Sequence, residues 1–202
     1  MTDSGIFDGF ARTSAVVGDL IGRIGGDQWA APTPCTEWSV RDVVGHLVGM
    51  NLVLVAMFEE GPMPERGVDR LGADPAGAFL RSAAALRAAA ARPGVLEQSQ
   101  ATRIGSATGA DRLQWRVVDL LAHGWDLEQA TGLAADLPSD VAEQALTFAR
   151  AQLPGQPRAG RFADPQPIGD RAPAIDRLAA FTGRPVPWKR PQNHQSEGFG
   201  AT

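Results

Sequence analysis

The chain has 202 residues, 44% of them hydrophobic, with a net charge of −4, 23 glycines, 15 prolines, no tyrosine and one cysteine. A length of this order suits a single domain that buries its own core, and interspersed charges without a basic run argue against nucleic acid or an anionic membrane as partner. The lone Cys35 excludes an intrachain disulfide framework and a multi-cysteine zinc site, and it fits a reducing cytoplasm.

Taken in order, residues 1–10 show no positively charged start followed by an apolar stretch, so no signal peptide is expected. No apolar run is read as reaching the roughly 18 residues that span a bilayer, so the expected location is cytoplasmic. Residues 4–25 read as a first helix, with Ile6, Phe10, Val17, Leu20, Ile21 and Ile24 on one stripe and Gly25-Gly26 as its end. Pro32 and Pro34 make the next segment a loop, which Trp29 and Trp38 are expected to anchor. Ser39 caps a second helix running to about Glu60, answered by Asp42 at its third position. Gly45 and Gly49 flank His46 on this helix, and such glycines mark either close backbone approach or open space above the imidazole. Asp74-Pro75 starts a third helix over 75–91. Residues 95–110 read as an ordered loop with short extended pieces.

A fourth helix is expected from about Asp111 to Thr131, closed by Gly132. Its packing face is Leu113, Val117, Leu120, Leu121, Gly124 and Leu127; an adjacent face carries Trp115, Asp119, Ala122, His123 and Asp126. Ser139 is read as the cap of a fifth helix over 140–153, and Pro173 as the start of a short sixth one closed by Gly183. The Pro/Gly-rich stretch 154–172 between them has the length of a functional cover. Residues 1–186 are thus read as one helical domain, and 187–202 as a disordered tail.

Two of the three histidines, His46 and His123, lie on inward helix faces, and Asp119 precedes His123 by one turn. Each histidine alone reads as a packed core residue. Together with a carboxylate they form the ligand set of an open metal site, and a divalent cation would offset the cost of burying Asp119. A plain Asp119–His123 ion pair is the competing reading. Asp126, three residues after His123, is a candidate to ligate or to hydrogen-bond an imidazole nitrogen, with an ordinary solvated or capping aspartate preferred to direct ligation. Asp42 shares that ambiguity, although capping already accounts for it. His194 in the tail is discounted as a ligand, and Cys35 reads as structural.

The stretch Thr33-Pro-Cys-Thr-Glu-Trp-Ser-Val-Arg-Asp, then His46-Leu-Val-Gly, and later Val118-Asp-Leu-Leu-Ala-His-Gly-Trp-Asp-Leu-Glu-Gln-Ala-Thr-Gly132, resembles the actinobacterial branch of the DinB-like metal-binding bundles. That branch is related to the N-terminal domain of mycothiol-dependent maleylpyruvate isomerase. The resemblance extends to Ala174-Ile-Asp-Arg-Leu-Ala-Ala-Phe-Thr-Gly-Arg-Pro. It implies an all-α, DinB-like four-helix bundle with a short extra C-terminal helix and long loops. It also implies a divalent metal, usually zinc, on His46, Asp119 and His123. The isomerase has glutamate where this chain has Asp119, so its metal is expected nearer the fourth helix or more weakly bound. The isomerase also has a further domain contributing to its active site, so maleylpyruvate isomerase activity itself is not expected.

The leading expectation is a metal-dependent enzyme in which the ion activates a thiol, by resemblance mycothiol, or a water against a small-molecule substrate. Residues 95–110 and 154–172 are expected to wall the cleft. Zinc suits the donor set; nickel or ferrous iron would also accept two imidazoles and a carboxylate. The rival is a non-catalytic metal- or ligand-binding bundle without turnover, for which a homodimer is one assembly considered.

Overall fold

The computed structural model describes residues 3–102, 105–153, 158 and 162–191. His194 lies outside the described residues, as do the later positions of the expected tail. The chain forms α1 (Asp3–Arg23), a 3-10 turn (Gly26–Ala30), α2 (Val40–Phe58), α3 (Pro75–Ala90), a hairpin of β1 (Ser99–Thr102) and β2 (Gly105–Thr108), α4 (Gly109–Thr131), α5 (Ser139–Gln152) and α6 (Ala174–Phe181). The fold class is all-α, as expected.

α1 and α2 each pack against both α3 and α4, which closes a four-helix bundle; α5 then covers α4, and α6 sits on α4 and α5. The core follows the apolar stripes. Phe10, Val17, Leu20 and Ile21 of α1 meet Val43, Val44 and Leu47 of α2, Phe79 and Leu86 of α3, and Leu113, Leu120 and Leu121 of α4, all buried. α2 carries an apolar run that the chain was not expected to have. By length and composition it could cross a membrane, yet Val43, Val44, Leu47, Val48 and Leu54 face the bundle.

Capping chemistry sets the helix starts. Ser39 and Asp42 form a reciprocal capping box on α2. Replacing Ser39 with alanine is expected to lower stability by about 1 kcal/mol, read from the midpoint of a urea melt. α4 begins two residues earlier than expected because Thr108 and Asp111 form a second box. α5 differs in the other direction. Ser139 is its first residue, and its cap position is Pro138, which makes no side-chain cap bond. Gly132 closes α4 in the left-handed region at φ 71°.

The stretch read as a loop over 95–110 contains an antiparallel hairpin with Ser99 opposite Thr108 and Thr102 opposite Gly105. It hands the chain to α4 at Gly109, about 15 Å of helix rise before Asp119. At the other end, Trp188 packs against the core and Arg190 donates to the Ala130 carbonyl. Part of the segment assigned to the tail is therefore placed on the bundle.

Candidate metal centre

α2 delivers His46 and α4 delivers Asp119 and His123 to the α2–α4 seam. The imidazole centroids lie 4.9 Å apart. Asp119 Oδ1 sits 3.3 Å from His46 Nε2 and 3.4 Å from His123 Nε2. One carboxylate oxygen therefore faces a nitrogen of each ring.

The tautomer of His123 follows from its other partner. Its Nδ1–H donates to Asp126 Oδ2 at 2.9 Å, leaving the Nε2 lone pair aimed at the Asp119 carboxylate. Two electron-rich atoms at that distance are stable only with a positive species between them, a proton or a cation. Burial by itself would discharge both groups. The mutual attraction of Asp119 and His123, with Asp126 assisting, outweighs it and raises the His123 imidazole above its ordinary range. His123, His46 and Arg116 likewise overcome burial at Asp119 and hold its carboxyl well below the usual carboxylate range.

Two buried arginines fix the carboxylates, and the sequence reading found neither. Arg184 lies just beyond α6 and donates to both oxygens of fully buried Asp126, Nε at 3.1 Å and a terminal nitrogen at 2.7 Å. Gly183, at φ 98°, makes the turn that sends Arg184 back, and a Cβ there would collide with Ala163. Arg116, one turn before Asp119, donates to Asp119 Oδ2. The sequence hint for Arg116 was its place on the apolar stripe of α4, three residues after Leu113 and four before Leu120; nothing local marked Arg184.

Trp38, expected only as a loop anchor, covers the site. Its ring lies 4.8 Å from that of His46 and is stacked 5.7 Å from that of His123. The loop that aims it is held by Thr33, whose hydroxyl donates to the Trp38 carbonyl at 2.9 Å, and by Glu37 in the left-handed region at φ 74°. The same loop brings the half-buried Cys35 sulfur within 4.8 Å of His123 and Asp126 donor atoms. Burial pushes the Cys35 thiol up to about 11, with Asp126 adding to the effect and Arg184 opposing it, so it stays protonated at neutral pH.

Exposure shows where the site opens. The side chains of His46 and Asp119 are 25% and 28% exposed, whereas His123 is 7% exposed. A Cβ at Gly45 or Gly49 would meet nothing within 4 Å, so these glycines mark open space. Trp115 stands one turn before Asp119 and packs against Phe148 and Phe162, so Phe162 lies against α4 beside α5. Asp42 is occupied by the α2 cap and does not join the site.

Residues 10–128 match the model of the mycothiol maleylpyruvate isomerase N-terminal domain. The chain belongs to this family. The matched stretch takes in His46, Asp119, His123 and Asp126 but ends before Arg184. Two relatives from Mycobacterium tuberculosis, the uncharacterized proteins MT0763 (strain CDC 1551) and Rv0738 (strain H37Rv), are each 35% identical over 174 residues. Those residues cover 83% of this chain and 91% of each relative. No solved structure matches the chain. Within the mycothiol maleylpyruvate isomerase N-terminal family, Trp125 is here a core residue, tying α4 to α6 through its indole N–H and Asp176 Oδ1 at 2.9 Å.

Proposed function

We propose that this member of the mycothiol maleylpyruvate isomerase N-terminal family is a cytoplasmic metal-dependent enzyme. It activates an external thiol, mycothiol by family, or a water toward a small electrophilic molecule, with zinc held by His46, Asp119 and His123. The observation that carries this reading is the spacing of the donors. A tetrahedral ion with bonds of about 2.0–2.1 Å keeps its donors roughly 3.3–3.4 Å apart, close to the spacing of Asp119 Oδ1 from both Nε2 atoms. Nickel and ferrous iron suit the same donors.

A bound cation of this kind supplies Lewis acidity that lowers the pKa of an incoming thiol or water. The protein's own residues prepare the place. Asp126 holds the Nδ1 proton of His123, so that Nε2 is the free donor, and Arg184 holds Asp126. Trp38 shields both rings from bulk water, while the exposed edges of His46 and Asp119 leave an approach for substrate. The reacting thiol comes from outside: Cys35, the chain's only cysteine, groups with His123 and Asp126 and not with the His46 and Asp119 donors.

A structural zinc site is normally closed by four protein donors. Asp126 is engaged by His123 and Arg184 and does not complete such a set, which favours the enzyme over the non-catalytic bundle. The test is elemental analysis of wild type and His46→Ala, joined to turnover with a panel of thiols, mycothiol included, and electrophiles. Wild type is expected to carry about one zinc per chain and to turn over, and His46→Ala to lose both. Equal metal in the two proteins rejects the site. Metal without turnover across the panel moves the reading to the non-catalytic bundle.

A further inference from the structure

Resting on the metal reading above, we propose that Arg116 is a positioning residue that restricts Asp119 to one ligating oxygen and so limits the protein to three donor atoms at the ion. The two oxygens of Asp119 have separate partners. Oδ1 faces both imidazoles, while Oδ2 accepts from Arg116. An oxygen that accepts a charge-assisted hydrogen bond is the poorer donor to a cation, so the contact with Arg116 favours ligation through Oδ1 alone.

Arg116 can impose this because it is itself immobile. It is 2% exposed, and each arm of its guanidinium has a partner. One terminal nitrogen donates to the Leu47 carbonyl at 2.7 Å, on the residue that follows His46. Nε donates to Asn51 Oδ1 at 2.8 Å; Asn51 in turn donates to the Ser82 hydroxyl at 2.9 Å, and Ser82 to the Phe79 carbonyl at 2.8 Å. The guanidinium thus locks the α4 carboxylate to the α2 backbone beside His46, with α3 bracing the arrangement.

Stability does not account for this chain of polar groups. Asn51 is wholly buried in the middle of the apolar α2, and a buried polar network is commonly no more stabilising than the apolar packing it replaces. Its reach ends at Oδ2 of Asp119, the one member in contact with the candidate metal donors.

The experiment loads the full chain with Co(II) and records visible absorption per bound cobalt, which is strong for four-coordinate and weak for higher-coordinate ions. Arg116→Met frees Oδ2, and absorption per cobalt is expected to fall several-fold as the carboxylate chelates through both oxygens. Loss of cobalt from a variant that circular dichroism shows to be folded overturns the proposal, because a carboxylate freed to chelate would hold the ion at least as well as one oxygen does. Should Arg116→Met fail to fold, Arg116→Lys keeps the charge but not the fork, and its spectrum is read in the same way. A folded variant with the band position and intensity of wild type overturns the role of Arg116 and leaves the metal site standing. A wild-type chain that takes up no cobalt overturns the metal reading itself.

Discussion

Asp119→Ala is expected to remove the metal and also to destabilise the metal-free protein by about 3 kcal/mol, whereas His46→Ala removes the metal at little cost to the metal-free fold. The difference lies in what each change leaves behind. Deleting Asp119 leaves Arg116 without its anionic partner, and Arg116 is almost completely buried. An unpaired charge in that environment is among the few causes of a large single-residue loss. His46 is a quarter exposed, and water can take over the polar contacts it gives up. The measurement is a pair of denaturant melts with chelator present, beside elemental analysis of each protein as purified. Equal stability losses in the two variants would mean that Arg116 does not depend on Asp119.

Arg184→Met is the second change with a large expected effect, about 3–5 kcal/mol, because Asp126 is fully buried and would keep its charge with only His123 as partner. The double variant Asp126→Leu/Arg184→Met is expected to be more stable than Arg184→Met alone. Removing both charges leaves the His123 Nδ1–H without an acceptor and the Thr182 carbonyl without the Arg184 donor, a loss of about 1–3 kcal/mol for each group left unpaired. In both proteins zinc affinity is expected to drop about 10- to 100-fold, since the ring of His123 is no longer held. Denaturant melts of Arg184→Met, Asp126→Leu and the double variant, with a competition titration using a chromophoric chelator, check this. A double variant as unstable as the sum of its single changes would show that the two residues act independently.

His46, Asp119 and His123 were legible in the sequence because their signal is local. Asp119 and His123 share a face through helical spacing, and His46 stands alone in an apolar helix. The helices were legible for a similar reason: their stripes, Gly132 and the Ser39–Asp42 box act within a few residues. The β-hairpin was only half read, since its short strands are defined by pairing with each other.

Arg116 and Arg184 could not be found in that way. A charged side chain has no business in a core on composition grounds, and each is tolerated only because distant residues supply its partners: Asn51 and Leu47 on α2 for the first, Asp126 on α4 for the second. The burial of Asp126 and Trp125 on α4 has a related cause: Arg184, just beyond α6, covers the first and Asp176 of α6 takes the indole N–H of the second. The sequence by itself determined the helices and which side chains could ligate. Only the tertiary structure decided that both nitrogens meet one oxygen of Asp119, and which buried cations hold each carboxylate, because those relations depend on distances between helices that no periodicity encodes.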